Sequence, residues 1–212
     1  MSKANAAAVN LSTSELAQVA EPQLHGDSFH IFGMPPRFEL DKAQLTERYH
    51  QLMTAVHPDR FSVAPESERR CAMQWASRVN EAYRELLHPL SRARLLCELA
   101  AVPVDLLDTR LPSTFLAQQM EWREDYEALT DSSEAMRVDD RLLRTEQLES
   151  KVRQEAKQLI EKFAQSPLAQ GARASADDLQ LASDLIRQWM FVEKFIEDIE
   201  QQRMHWLEVL PS

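Results

Sequence analysis

Residues 45–60 read LTERYHQLMTAVHPDR, a helical pattern followed by a residue that ends a helix. The apolar members share one helix face, because they recur at spacings of four, three and four residues: Leu45, Tyr49, Leu52 and Val56. Proline has no amide hydrogen and pushes the preceding residue out of the helical region, so Pro58 predicts a helix end near His57. His57, Pro58 and Asp59 are then expected to form a rigid corner, with both polar side chains facing water.

A second helix is predicted after this corner. Its apolar residues again recur at helical spacing: Trp75, Val79, Ala82 and Leu86. The first helix is predicted over about 42–57, with Asp41 as its N-cap and Gln44 at capping-box spacing. Two helices joined by a short loop make a helical hairpin, so this part of the chain is expected to form one helical domain.

The composition favours helices along the whole chain. Only 3 of the 212 residues are glycine, which disfavours the turns that β-hairpins need. Three amphipathic helices with short connections predict a bundle, at about 113–130, 132–166 and 176–208. The core stripe predicted for the last helix comprises Leu181, Leu185, Val192, Phe195, Ile199 and Trp206. We therefore predict an all-α fold with a disordered leader at 1–27, the hairpin domain at 28–101, a linker at 102–112 and the bundle at 113–210.

Charge is distributed unevenly. The formal net charge is −10, yet residues 28–100 carry a net charge of +1 and residues 101–212 a net charge of −9. This contrast suggests two binding surfaces, and the acidic part argues against nucleic acid as its main partner. Apolar runs are only a few residues long, so no membrane-spanning helix is predicted. Cys71 and Cys97 are predicted to be buried, reduced thiols of a cytoplasmic protein without a signal peptide.

The corner carries a resemblance to a known family. Residues 49–61 (YHQLMTAVHPDRF) and 80–83 (NEAY) resemble a J-domain. The resemblance implies that His57, Pro58 and Asp59 dock on the ATPase domain of a DnaK-type chaperone and stimulate ATP hydrolysis. A rigid loop suits this role, since the Asp59 carboxylate can pair with a partner arginine. Basic residues along or beside the first helix extend this chaperone-binding surface, unless they are simply solvated: Lys42, Arg48 and Arg60.

The rest of the chain narrows the resemblance. General J-proteins continue with a Gly/Phe-rich segment and zinc-binding cysteine repeats, and neither is present in this sequence. Residues 88–93 (HPLSRA) and 115–124 (FLAQQMEWRE), followed by an acidic bundle, resemble the HscB family, the J-type co-chaperones of iron–sulfur cluster assembly. The resemblance implies that the bundle binds a scaffold protein of IscU type and delivers it to a DnaK-like chaperone of HscA type. The resemblance also implies roles in protein folding and in protein complex oligomerization.

The first bundle helix carries a second apolar patch beside its core stripe of Phe115, Trp122, Tyr126 and Leu129. Leu116 and Met120 point roughly 100–140° away from that stripe, at 100° per residue, and Glu121 and Glu124 add acidic groups. Such a patch indicates either a partner groove or a contact with another part of the same chain. The family resemblance places the scaffold contact on these same four residues and on Phe191. Ala117 departs from the larger apolar side chain that relatives often have there, which puts part of the patch in doubt.

The histidines and cysteines predict no metal site. His50 and His57 lie two helical turns apart, roughly 10 Å, which is too far to share one ion. No cysteine pair has zinc-ligand spacing, and no cysteine precedes Cys71, whereas some relatives carry an N-terminal zinc-binding pair. We therefore expect no cofactor, and an iron–sulfur cluster would travel on the partner.

Three functional hypotheses follow. The leading one is a monomeric adaptor that is not an enzyme, binds neither nucleic acid nor membrane, and joins the scaffold to the chaperone. The second keeps the J-domain but assigns a different client. The third is a helical hydrolase that uses His57 and Asp59, although the sequence contains no phosphate-binding loop, nucleophile elbow or metal-ligand cluster to support it.

Overall fold

The computed structural model describes residues 26–102, 111–131 and 137–209, and all regular structure within those ranges is helical. Seven α-helices and one 3-10 turn follow in order: α1 (Ser28–Ile31), α2 (Lys42–Val56), the 3-10 turn (Pro58–Phe61), α3 (Glu66–Leu87), α4 (Pro89–Leu99), α5 (Ser113–Thr130), α6 (Val138–Ala164) and α7 (Ala176–Val209). The predicted all-α class, with a helical hairpin and a three-helix bundle, is confirmed. Nearly all of the predicted leader and most of the predicted linker lie outside the described residues.

The chain packs into two compact units. Of the described residues, the first unit contains 26–36 together with 40–88, and the second contains 37–39 together with 89–102, 111–131 and 137–209. The division therefore falls before α4, whereas the sequence placed α4 in the first domain. The physical reason is that α4 packs against α7, with its apolar residues Leu95, Leu96 and Cys97 buried.

In the first unit, α2 and α3 form the predicted hairpin and α1 packs on α3. The Asp41 carboxylate accepts hydrogen bonds from the amides of Ala43 and Gln44, at 2.9 and 3.1 Å, which confirms it as the N-cap of α2. A polar contact sets the pairing of the two long helices: the Tyr49 hydroxyl donates to Asn80 Oδ1 at 2.8 Å. The Tyr49 ring also stacks on Tyr83, with 4.2 Å between ring centroids.

In the second unit, α6 and α7 pack along each other and α5 lies against both. Large apolar side chains fill the space between them, including Leu159, Phe163, Ile186, Trp189 and Ile199. Phe38, from the short segment 37–39, is also part of this core. Its ring packs edge-on against Phe163 and Trp189, and its amide donates to the Ala169 carbonyl at 2.8 Å.

Two burial predictions were wrong. Leu181 was expected in the core stripe of α7 but is 54% exposed, because the buried positions of α7 begin one residue later, at Ala182. Cys71 was expected to be buried but is only half-buried, because the neighbouring position Ala72 faces the core of the hairpin. Cys97 is buried as predicted, and both cysteines are free thiols. Among the described residues, no helix combines the length and the hydropathy that a membrane-spanning segment requires.

Candidate functional site

The first candidate site is the corner between α2 and α3. Helix α2 stops at Val56 because the next residue, His57, adopts an extended backbone (φ −60°, ψ 128°), as expected before a proline. Pro58 then starts the 3-10 turn, and Phe61 ends it with its ring buried in the hairpin core. The buried ring anchors the turn, so the polar residues ahead of it are presented from a fixed backbone.

The two polar side chains of the corner are open to solvent. The His57 side chain is 50% exposed and the Asp59 side chain 90% exposed. His57 Nδ1 accepts a hydrogen bond from the Asp59 amide at 3.3 Å and lies 3.6 Å from Asp59 Oδ2. In the neutral ring Nδ1 therefore carries no hydrogen, and Nε2 is the free donor. The corner offers a partner one N–H donor and one carboxylate side by side.

The three cations assigned to this surface are not equivalent. Lys42 is exposed at the first residue of α2, about 20 Å from the corner at 1.5 Å per residue. Arg48 is half-buried, and its Nη1 donates to the carbonyls of Phe32 and Gly33, the latter at 2.6 Å. Arg60 lies at the corner, where its guanidinium bonds to backbone carbonyls of α2. The sequence alone did not reveal that two of the three cations bond to their own chain.

The second candidate site lies on α5. Leu116 is 40% exposed and Met120 63% exposed, so neither is enclosed within the structure described. Glu121 and Glu124 are both exposed on the same helix, and Ala117 is exposed beside them. The structure thus presents an apolar pair flanked by carboxylates.

Phe191, from α7, is brought next to this helix. Its ring is half-buried, with its centroid 6.0 Å from the Phe115 ring and 6.0 Å from the Phe195 ring. The Arg123 guanidinium lies over Phe191, 5.8 Å from the ring centroid. Sequence reasoning missed Arg123, although its position, seven residues after Leu116, places it near the apolar face of α5. The site therefore combines exposed apolar groups from α5 with an aromatic ring from α7.

The ring cluster beneath this surface is held by a polar contact at its far end. The Tyr126 hydroxyl donates to the Asp198 carbonyl at 3.3 Å, and the Tyr126 ring packs edge-on against Phe195. Burial, and secondarily the charge of Asp198, raise the pKa of Tyr126 above its usual value. Tyr126 therefore acts as a neutral donor that fixes α5 against α7. In the described part of the chain, no group of three or more His, Cys, Asp or Glu side chains is arranged to hold a metal ion.

Comparison with known proteins gives a consistent result. A family model described as the HSCB C-terminal oligomerisation domain matches residues 111–200. A protein from Azoarcus sp. (strain BH72), named "Co-chaperone protein HscB homolog", is 40% identical over 178 residues, covering 84% of this chain and 93% of that protein. The relative of the same name from Bordetella pertussis is 39% identical over 177 residues, covering 82% and 94% of the two chains.

The chain belongs to the HscB family of co-chaperones.

Solved HscB structures share this fold. HscB from Vibrio cholerae superimposes with a TM-score of 0.68 at 29% identity, covering 85% of this chain and 99% of that one. Human HscB gives a TM-score of 0.70 at 25% identity, covering 84% and 83% of the two chains. The HscB C-terminal match includes every residue of the second candidate site, called the α5–α7 surface below: Leu116, Met120, Glu121 and Glu124 of α5 and Phe191 of α7. The corner lies outside that family model, but the HscB relatives align over most of both units.

Proposed function

We propose that this chain is an adaptor of iron–sulfur cluster assembly. Its acidic bundle binds a scaffold protein of IscU type, and its His57–Asp59 corner docks on the ATPase domain of a DnaK-like chaperone of HscA type and accelerates ATP hydrolysis there. The observation that carries the proposal is the corner itself. A histidine donor and a carboxylate stand exposed on a turn that the buried ring of Phe61 holds in place.

The α5–α7 surface supports the second half of the proposal. Leu116 and Met120 are large apolar side chains left open to solvent, while Phe191 adds a half-buried ring. Apolar anchors surrounded by charged residues are typical of the centre and rim of a protein interface. Glu121 and Glu124 would meet basic side chains of the scaffold at that rim.

Joining the two partners on one chain explains how the adaptor acts without chemistry of its own. Binding the scaffold and the chaperone together raises their effective concentration for one another, so no residue here needs to touch ATP. The exposure of His57 and Asp59 argues against a hydrolase site, because general acid–base groups work in partly dehydrated clefts. The proposal includes a monomeric, cytoplasmic protein with no cofactor and no nucleic-acid or membrane partner.

Substitution of the corner histidine tests the chaperone contact. We expect His57→Gln to reduce stimulation of the purified HscA-type ATPase at least about tenfold, a loss of roughly 1.4 kcal/mol, because the Nε2 donor is displaced. Binding to the scaffold should stay within about twofold of the wild type, the range of additivity for distant sites. The matched control is His50→Gln, an exposed histidine on α2 away from the corner.

Normal stimulation by His57→Gln would contradict the docking role. Loss of scaffold binding in the same variant would show that the two surfaces are not separable.

Truncation of the apolar pair tests the scaffold contact. We expect Leu116→Ala combined with Met120→Ala to weaken IscU-type scaffold binding by about 30- to 150-fold, because two interface anchors contribute roughly 2–3 kcal/mol. The control is Leu143→Ala combined with Met204→Ala, which removes two similarly exposed apolar side chains, each 55% exposed, from other helices of the bundle. Unchanged affinity in the first pair, measured by isothermal titration calorimetry, would remove the α5–α7 surface from the proposal and favour a different client.

A further inference from the structure

The end of α2 leaves two backbone carbonyls without their usual partners. In a continuing helix, the carbonyl of Thr54 would accept from residue 58 and that of Ala55 from residue 59. Residue 58 is proline and has no N–H, while the Asp59 amide donates instead to His57 Nδ1 at 3.3 Å. The same sequence that makes the corner rigid therefore removes both donors from the last turn of α2.

The Arg60 side chain supplies the missing donors. Its Nη1 donates to the Thr54 carbonyl at 3.1 Å and to the Ala55 carbonyl at 3.4 Å. A cation is favourable at this place, because partial negative charge accumulates at the C-terminus of a helix. Helix α2 has no basic residue in its own last turn, so Arg60 provides the positive charge from outside the helix.

The backbone around Arg60 is also fixed by hydrogen bonds. The Arg60 amide donates to the His57 carbonyl at 3.0 Å, and the Ser62 amide donates to the Asp59 carbonyl at 3.3 Å. The next residue, Phe61, is buried in the core. The backbone at Asp59 is therefore held on both sides, by the hydrogen bonds of Arg60 to the last turn of α2 and by the buried ring of Phe61.

We propose that Arg60 is a positioning residue: by capping the carbonyls of Thr54 and Ala55 it holds His57 and Asp59 in the orientation that the ATPase partner binds. This inference rests on the proposed function of the corner. It gives Arg60 a different role from the one suggested by its charge, which was direct contact with the chaperone. In this role Arg60 raises the fraction of chains whose corner is in the binding-competent orientation, and the apparent dissociation constant varies inversely with that fraction.

The test combines a measurement on the free protein with one on the complex. In Arg60→Ala, hydrogen exchange of the Arg60-position and Ser62 amides, followed by NMR without any partner, should accelerate about tenfold, as for the loss of one charged hydrogen-bond pair. The concentration needed for half-maximal stimulation of the HscA-type ATPase should rise by about twofold or more, because a smaller fraction of the free chains then holds the corner in the competent orientation. The maximal stimulation at saturation should stay unchanged, because the corner still reaches the competent orientation.

Two further variants sharpen the comparison. Arg60→Lys keeps the charge but lacks the planar fork, so both effects should be intermediate. Arg78→Ala is the matched control: Arg78 also donates to a backbone carbonyl in the first unit, that of Gly26 at 3.2 Å, and its loss should leave corner exchange and stimulation unaltered.

Each other outcome overturns the inference. Weaker stimulation by Arg60→Ala with unchanged exchange in the free protein would make Arg60 a direct contact with the chaperone. Faster exchange with unchanged stimulation would make the cap purely structural. If the wild-type chain does not stimulate the chaperone at all, the proposed function fails as well, and that result is distinct from a failure confined to the Arg60 variants.

Discussion

Phe38 offers the sharpest test of the packing of the second unit. Its side chain is only 2% exposed, with its ring centroid 5.1 Å from that of Phe163 and 6.2 Å from that of Trp189. The Arg92 guanidinium lies over the same ring at 4.9 Å, and burial, partly offset by Glu39, lowers the pKa of Arg92. Removing the ring therefore takes away the contacts with Phe163 and Trp189 and uncovers one face of the buried Arg92 guanidinium.

We expect Phe38→Ala to destabilise the second unit by about 3–5 kcal/mol, the range for deletion of a buried phenylalanine ring. For a chain of this size that loss lowers Tm by about 6–20 °C. The assay is urea denaturation followed by circular dichroism, with hydrogen–deuterium exchange of α6 and α7 peptides assigning the transition to this unit. Arg37→Ala, at the exposed neighbouring position, is the control and should change stability by no more than about 0.5 kcal/mol.

A loss below about 1 kcal/mol for Phe38→Ala would refute the assignment of this residue to the core of the second unit. A large loss that spared α6 and α7, and instead opened α2 and α3, would refute it equally.

Further tests address the N-cap of α2 and the two cysteine thiols. Asp41→Ala should lower the free energy of unfolding of the first unit by about 1 kcal/mol, because the amides of Ala43 and Gln44 lose their acceptor. Asp41→Asn should preserve most of this stability, because its side-chain oxygen can still accept. Hydrogen exchange of α2 peptides measures both effects. Burial, with a smaller contribution from the charge of Glu98, raises the pKa of Cys97 from 9.0 to about 12. At pH 8 a thiol reagent should therefore label half-buried Cys71 first, and Cys97 only on unfolding. Because the folded pKa is raised, the stability that Cys97 contributes is complete below pH 9 and is lost as the pH rises towards 12, and urea midpoints across that window should fall. Equal labelling rates for both thiols in the native protein would contradict the burial of Cys97.

Much of the candidate site follows from local chemistry in the sequence. Pro58 alone predicts where α2 ends, and helical spacing alone separates Leu116 and Met120 from the core stripe of α5. The capping role of Asp41 is equally local, since the amides that donate to its carboxylate lie two and three residues away. These predictions succeed because each depends on residues within one or two turns of one another.

Features that depend on packing between helices could not be predicted from local spacing and charge. Leu181 has the right spacing for the core stripe of α7, yet it is exposed, because the buried positions of α7 begin one residue later, at Ala182. The chaperone contact of Arg48 and Arg60 stays a prediction, but their charges did not reveal that both guanidinium groups bond to carbonyls of the same chain. Spacing and charge limit the contacts that a side chain can make, whereas the surrounding residues determine its burial and its hydrogen-bond partners.

Local sequence patterns predict the helical class, most helix boundaries, the rigid corner and the contrast between a nearly neutral first part and an acidic second part; the start of α6 is an exception, since it was predicted at 132 and lies at Val138. These features depend on backbone preferences and composition, which act over a few residues. Packing between distant segments places α4 and Phe38 in the second unit, brings Phe191 against α5, and lets Arg60 cap the helix before the corner. Those arrangements depend on which surfaces are buried together, and burial is a property of the packed chain that no short stretch of it contains.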